Sequence, residues 1–530
     1  MSLRRAAAGG GRRAVRALGL LGLMAALAAA GVVVWRAVDG GDSGRRAAVE
    51  RFVNAWVRGD WRVMWRALTP KARAAHPEGR FVAAYRSADQ ASGVRGLAIR
   101  SVGPDSGGRV GVIVSVDTAG FGTLRGRIVV PVSGSGSSAG VDWDPSLRLP
   151  GLRRGEAVRR QSGPSPPRAP ILAADGTRLD ATALGASVAG RPGPKPTGLE
   201  RIYDRRLGGH AAMQLRFGDR IIARVPEVSG RALPTTIRAR MMQTAAAALG
   251  QRLGGVAVIR PQDGTVEALA GLAVSAPQPP GSTFKIITLS AALKYGVATP
   301  STTFPVQTAA TLSGVQLRNA GGEACGGSLI EAFTVSCNSV FAPLGAKIGA
   351  ERLVAMAQAF GFNEQPNIPA ATPSTISPPS KLRDDLAVGA AAIGQDRDLA
   401  TPLEMASIGA TIALGGRRIQ PRITTVDPIR SEKILPTAVA HQVRSMMLDV
   451  VRSGTGTAAA IPGVDVAGKT GTAELRPNST NPKDADAWFV AFAPADHPTI
   501  AVGVMLVSAG FGGTAAAPIA RQVLEAALHG

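Results

Sequence analysis

Lysine is scarce in this 530-residue chain: only nine of its 60 basic residues are lysines, and the other 51 are arginines. Arginine keeps its proton in any protein environment, whereas a buried lysine can give it up. Each lysine therefore merits inspection as a chemical group. Only Lys285 has a serine three residues before it, in Ser282-Thr283-Phe284-Lys285, behind Pro279, Pro280 and Gly281. The proline pair and glycine predict a helix beginning at Ser282. On a helix, positions i and i+3 share a face, so the Lys285 amine can reach the Ser282 hydroxyl. A serine becomes a useful nucleophile only when a base takes its proton. Desolvation by Ile286, Ile287 and their neighbours would lower the amine's pKa enough for that task, and a helix N-terminus favours negative charge developing nearby. The same four residues also read as a serine N-cap beside a solvated lysine.

Two further groups add to the first. Ser336-Cys337-Asn338 places a hydroxyl and an amide two residues apart, although both are also ordinary loop and cap residues. Lys469-Thr470-Gly471-Thr472 lies in an apolar strand candidate, Val464 to Thr472. Its glycine would let a ligand backbone approach, and its lysine and threonines offer donors to a carboxylate. Taken singly, it also reads as an edge strand ending in a turn.

These groups need a scaffold, and the hydrophobic pattern outlines one. Met241 to Leu253 has helical spacing, and Gly255–Ile259 and Val266–Leu272 read as strands joined at Gln262-Asp263-Gly264. A helix-rich middle is expected to about Ala460. Strands at Val464–Thr472, Ala487–Phe492 and Thr499–Val507 follow, with a last helix over about Ala515–Leu528. Strands at both ends with helices between predict one sheet closed by the two ends of the domain, with helices on its faces. Upstream, residues 47–147 read as a separate α+β region. Val49, Phe52, Val53, Trp56 and Val57 recur at helical spacing, Trp61, Met64, Trp65 and Leu68 follow before Pro70, and strands come at Val110–Val116 and Gly126–Val132. Residues 150–234, rich in Arg, Pro, Gly and Ser at the start, read as linker and connecting region.

Composition excludes some classes. With 45% hydrophobic residues the chain is not disordered, and a length of 530 suits two or three domains. The net charge of +23 is compatible with an anionic membrane, a polyanionic wall or nucleic acid. No basic run with aromatic platforms and no nucleic-acid-binding module accompanies it, so nucleic acid is not expected as a partner. No cofactor or metal is expected either. Residues Ala17 to Trp35 form an uncharged stretch of 19, preceded by five arginines and no acidic residue. It is long enough to span a bilayer. The charge bias would place residues 1–16 in the cytoplasm and everything after Arg36 outside. A cleaved signal peptide is the alternative, with Ala28 and Ala30 at its cleavage site. Both cysteines, Cys325 and Cys337, would then lie outside, where a disulfide can persist. Whether they pair is left open by the sequence.

In order and interval, the three groups match the S-x-x-K, S-x-N and K-T-G set of penicillin-binding proteins and serine β-lactamases. The chain resembles class B penicillin-binding proteins beyond these motifs. Supporting segments are Gly198-Leu-Glu200 with Tyr203 and Leu207, Thr236-Ile237 with Gln243, Asp263-Gly264 with Ala268, Ile393-Gly-Gln395 with Thr401-Pro-Leu403, Gly454-Thr-Gly456, and Trp488-Phe489 with Pro494. The likeness covers roughly residues 165 to 525. More weakly, Phe52-Val-Asn-Ala-Trp56, Gly59-Asp60, Met64 and Leu68 resemble the nuclear-transport-factor-like domain of some resistance-type members.

The resemblance implies a multidomain protein. Its parts would be a transmembrane helix (17–35), a small cone-like α+β domain (47–147) acting as a spacer, a linker and dimerisation-like region (150–234), and a transpeptidase domain (235–528). The last would hold an antiparallel sheet with helices on both faces. It implies peptidoglycan D,D-transpeptidation, with Ser282 as nucleophile and Lys285 as base. Ser336 would relay a proton, Asn338 would hold a substrate carbonyl, and Lys469 would set the local charge. Thr470 and Thr472, flanking Gly471, would bind the terminal carboxylate, with the N–H groups of Ser282 and Thr472 as oxyanion hole. Implied partners are D-Ala-D-Ala stem peptides, β-lactams, the cell membrane, a separate polytopic glycosyltransferase, and division or elongation proteins. Serine β-lactamase, D,D-carboxypeptidase and a non-enzymatic β-lactam sensor are the competing readings. One departure is Cys337 inside S-x-N: bridged to Cys325, it would tie down the loop and make activity sensitive to reductant.

Overall fold

The computed structural model describes residues 43–529 apart from 396, 477, 478, 480, 482 and 483. The expected anchor at 17–35 lies outside the described residues. Among those described, no helix is long and apolar enough to cross a membrane. The chain divides into two compact units, and the 150–234 stretch contributes to both: residues up to 167 and 209–229 belong to the first, 168–208 and 230 onward to the second.

In the first unit, helices Ser43–Arg58, Trp61–Arg66, Pro70–Ala75 and Glu78–Ser92 precede an antiparallel meander of Val94–Asp105, Arg109–Thr118, Gly122–Ser133 and Gly140–Val141. Alternation in the second of these strands buries Val110, Val112, Val114 and Val116. They join Val49, Phe52, Val53 and Trp56 from the first helix in one core. Tyr85 is fully buried there, and its hydroxyl oxygen accepts from Trp143 Nε1 at 3.1 Å. Strands Val158–Ser162, Met213–Phe217 and Arg220–Val225 form a second, three-stranded sheet.

The second unit is built on a five-stranded antiparallel sheet. Its spatial order is Thr265–Gly271, Gly254–Arg260, Ile500–Leu506, Ala485–Ala493 and Ala467–Glu474. The two ends of the domain do meet in one sheet, as the pattern predicted. The three central strands are buried on almost every residue, which explains their continuous apolar runs. Helix Pro402–Ala413 packs tightly on the sheet because Gly503 has no side chain: a Cβ there would overlap the Pro402 carbonyl. Helices Ala239–Leu249 and Ala517–His529 also pack against it and against each other. The strand carrying Lys469 ends the sheet, so one of its edges is not occupied by a neighbouring strand.

The middle of this unit is less helical than the sequence suggested. Strand Thr303–Gln307 pairs with Cys325–Ser328, and Ala309–Leu312 forms a hairpin with Val315–Arg318. The β-branched content of this stretch favours strands over the expected helix.

Candidate active site

Ser282 does not begin a regular α-helix. It lies in a tight three-per-turn segment, Gly281–Phe284, that leads directly into helix Lys285–Lys294. In such a turn positions i and i+3 eclipse, and Lys285 Nζ comes within 3.0 Å of Ser282 Oγ. No side-chain cap bond is made at the start of this segment, and Lys285 is fully buried. The capping-and-solvated-charge alternative is thereby excluded. The turn is held against the edge strand by close backbone approach. A Cβ on Gly281, whose φ is +52°, would lie 2.5 Å from the Thr472 carbonyl oxygen, and one on Gly471 would lie 2.7 Å from that of Pro280.

Helix Asn338–Ile348 brings the second motif in. Lys285 Nζ lies 2.6 Å from the Ser336 carbonyl oxygen and 2.6 Å from Asn338 Oδ1. Both atoms can only accept, and a neutral amine has two N–H groups and one lone pair. With the two N–H groups spent on Ser336 and Asn338, the lone pair is left for the Ser282 hydroxyl proton. This is the arrangement a general base needs. Burial pushes the Lys285 pKa well below the usual lysine value, and the neighbouring Lys469 pushes it the same way.

Lys469 Nζ donates to Ser336 Oγ at 2.8 Å and to the Thr470 carbonyl at 3.1 Å. It too is fully buried, and burial lowers its pKa to about 7. Ser336 Oγ thus sits between two amines, 3.3 Å from Lys285 Nζ. Ser336 holds a φ of +64°, a strained setting for a non-glycine residue of the kind that persists where surrounding contacts over-determine it.

Ser282, Lys285, Ser336, Asn338 and Lys469 are therefore joined in one hydrogen-bonded cluster, with Thr470 beside Lys469. Thr472 Oγ1 accepts from Gly512 N–H at 3.3 Å. Cys325 and Cys337 are bridged across a separation of 12 residues, and Asn319 Oδ1 accepts from Ser339 N–H at 2.8 Å just beyond the motif. Cys325→Ser is expected to lower the unfolding free energy by about 2–4 kcal/mol, as is typical of disulfide loss. Denaturant unfolding of the wild type with and without reductant checks it. An unchanged midpoint would show that Asn319 and the buried helix hold the loop alone.

Sequence reasoning missed several contributors. The rings of Phe341 and Phe333 lie 5.7 Å and 5.5 Å from the amines of Lys285 and Lys469. The Arg318 carbonyl accepts from Asn338 Nδ2 at 2.9 Å. The two phenylalanines stand three residues outside each end of the S-x-N motif, on its helical faces, a spacing that could have been read. The Arg318 contact depends on the unforeseen hairpin.

Residues 254–525 match the family model for the penicillin binding protein transpeptidase domain. The peptidoglycan D,D-transpeptidase PbpA of Mycobacterium tuberculosis is 38% identical over 315 residues, 53% of this chain and 59% of the relative. The chain thus spans about three fifths of that relative's length. PbpA of Mycolicibacterium smegmatis is 34% identical over 410 residues, 64% of this chain and 80% of the relative. Among solved structures, the penicillin G acyl-enzyme complex of penicillin-binding protein A from M. tuberculosis superposes with a TM-score of 0.58. It is 30% identical and covers 69% of this chain and all of that one, 100%.

Proposed function

Because the chain belongs to the penicillin-binding protein transpeptidase family, we propose that it is a peptidoglycan D,D-transpeptidase working through an acyl-enzyme on Ser282. Lys285 takes the Ser282 proton as the oxygen attacks the carbonyl of the penultimate D-alanine. The N–H groups of Ser282 and Thr472 receive the developing oxyanion, a contribution that often dominates such reactions. Ser336 hands its proton to the departing D-alanine nitrogen and regains one from the lysines it touches. Asn338 holds the donor peptide. Thr470 and Thr472 bind its terminal carboxylate, while the bare side of Gly471 is taken up by the Pro280 carbonyl and lets the Ser282 turn, rather than the ligand, close against this strand. An acceptor amine then attacks the ester, giving a proton to the lysine–Ser336 relay; the new amide forms as the bond to Ser282 Oγ breaks, and that oxygen regains its proton from Lys285.

The observation that supports this reading best is the spending of both Lys285 N–H groups on Ser336 and Asn338, which leaves a lone pair at 3.0 Å from Ser282 Oγ. The penicillin G acyl-enzyme complex of penicillin-binding protein A from M. tuberculosis adds weight. By the same reading β-lactams acylate Ser282, since they present a strained amide and a carboxylate in the substrate's places. The protein would be held at the cell membrane by residues 17–35, with the first unit acting as a nuclear-transport-factor-like spacer. Glycan strands would come from a separate membrane glycosyltransferase.

Mass spectrometry of the detergent-solubilised full-length protein after mixing with benzylpenicillin tests the reading. A lasting adduct on the tryptic peptide containing Ser282 is expected. Rapid drug hydrolysis with no lasting adduct would replace the transpeptidase by a β-lactamase.

A further inference from the structure

Thr455 touches none of the motif residues in sequence, yet its hydroxyl oxygen lies 2.6 Å from Thr470 Oγ1. Its place is set by close packing. Thr455 N–H donates to the Thr334 carbonyl at 3.3 Å, two residues before Ser336, and Gly456 N–H donates to the Val450 carbonyl at 2.9 Å. A side chain on Gly454 would overlap the Thr334 carbonyl, and a Cβ on Gly456 would lie 3.2 Å from the Phe489 ring. The turn after helix Thr437–Arg452 is thereby fixed between the two catalytic motifs, while the Thr455 side chain itself stays exposed.

From this geometry we infer that Thr455 is a positioning residue that directs the Thr470 hydroxyl proton into the carboxylate site; the inference rests on the transpeptidase reading above. A threonine hydroxyl has one proton to give, and an ionised carboxylate can only accept. Lys469 gives the Thr470 oxygen only a long, weak bond at 3.5 Å, against 2.8 Å to Ser336 and 3.1 Å to the Thr470 carbonyl. When a carboxylate docks, Thr470 must turn its proton toward it. Thr455 then donates into the vacated side of the Thr470 oxygen, giving a two-hydroxyl chain whose links polarise one another. Thr472 is arranged alike: Gly512 N–H fills its acceptor side and leaves its proton for the ligand. The two threonines are thus supplied with donors from opposite segments, one from a backbone amide and one from Thr455.

The test uses the detergent-solubilised full-length protein and two probes, benzylpenicillin and its methyl ester, which lacks the anionic carboxylate. For wild type, Thr455→Val, Thr455→Ser, Thr470→Val and the Thr455→Val/Thr470→Val pair, the acylation rate constant is measured with each probe. Thr455→Val is expected to lower the ratio of acid to ester rates about threefold to tenfold, the weight of one net hydrogen bond. Thr455→Ser should restore the ratio, and the double variant should match Thr470→Val alone. An unchanged ratio in Thr455→Val, or equal losses with both probes, would overturn the inference and leave Thr455 a packing residue. Losses that add in the double variant would also overturn it, because Thr455 would then reach the ligand independently. Failure of the wild type to form an adduct with either probe would instead remove the transpeptidase reading itself.

Discussion

Full-length Ser282→Ala, mixed with benzylpenicillin, gains no mass, while the wild type is converted to a stable adduct. The expected loss is complete because no neighbouring hydroxyl can take the role. Thr283 is fully buried, and its hydroxyl donates to the Pro280 carbonyl at 2.7 Å. Ser336 is the only other motif hydroxyl beside Lys285, but its oxygen accepts from Lys469 at 2.8 Å and lies farther from the base than Ser282 does. Removing one half-buried hydroxyl leaves the turn's backbone contacts intact, so the variant should unfold close to the wild-type denaturant midpoint. An adduct persisting in Ser282→Ala, mapped to the peptide carrying Ser336, would overturn the assignment of the nucleophile.

Lys285→Met carries the second large effect. Positioned proton transfer contributes roughly 10²–10⁴-fold, and acylation by benzylpenicillin should slow by about that factor. Methionine fills similar volume without a lone pair on nitrogen. Lys285→Arg should fare no better, since a guanidinium does not release its proton. The pH profile supplies an independent reading. Burial, then the charge on Lys469, lower the Lys285 pKa, so the neutral base is present from well below the usual lysine range upward. Wild-type acylation should therefore rise with pH through a transition far below 10.5 and then level, and the Met variant should lose that limb. Lys469, held near 7 by burial, touches the same Ser336 oxygen, and two such close amines resist being charged together. The observed midpoint belongs to the pair. If Lys285→Met stays within tenfold of wild type at neutral pH, the base lies elsewhere.

Legibility in the sequence varied with the range of the interactions. The Ser282–Lys285 pair was readable because three residues of one turn bring the two side chains together whatever surrounds them. The strands Gly254–Arg260 and Ile500–Leu506 were readable from continuous apolar runs. The turn's tight form was not, since it depends on Gly281 and Gly471 letting two backbones meet. Nor was the hairpin Ala309–Arg318, whose edge supplies a carbonyl to Asn338. Cys325 and Cys337 lay twelve residues apart in an exported context, but their pairing required the strand Cys325–Ser328 to pass beside the motif.

By itself the sequence determined which functional groups the site contains and their order, because residue identity and short spacing are written in the chain. Only the tertiary structure decided what state those groups are in. Lys285 is buried, and its amine is held by residues 51 and 53 positions away, the setting in which the proposed reading makes it a base. Thr470 gains a hydroxyl partner through a turn 15 residues upstream. Proton direction and desolvation are set by neighbours in space, and that is why the motifs announced the chemistry while packing had to poise it.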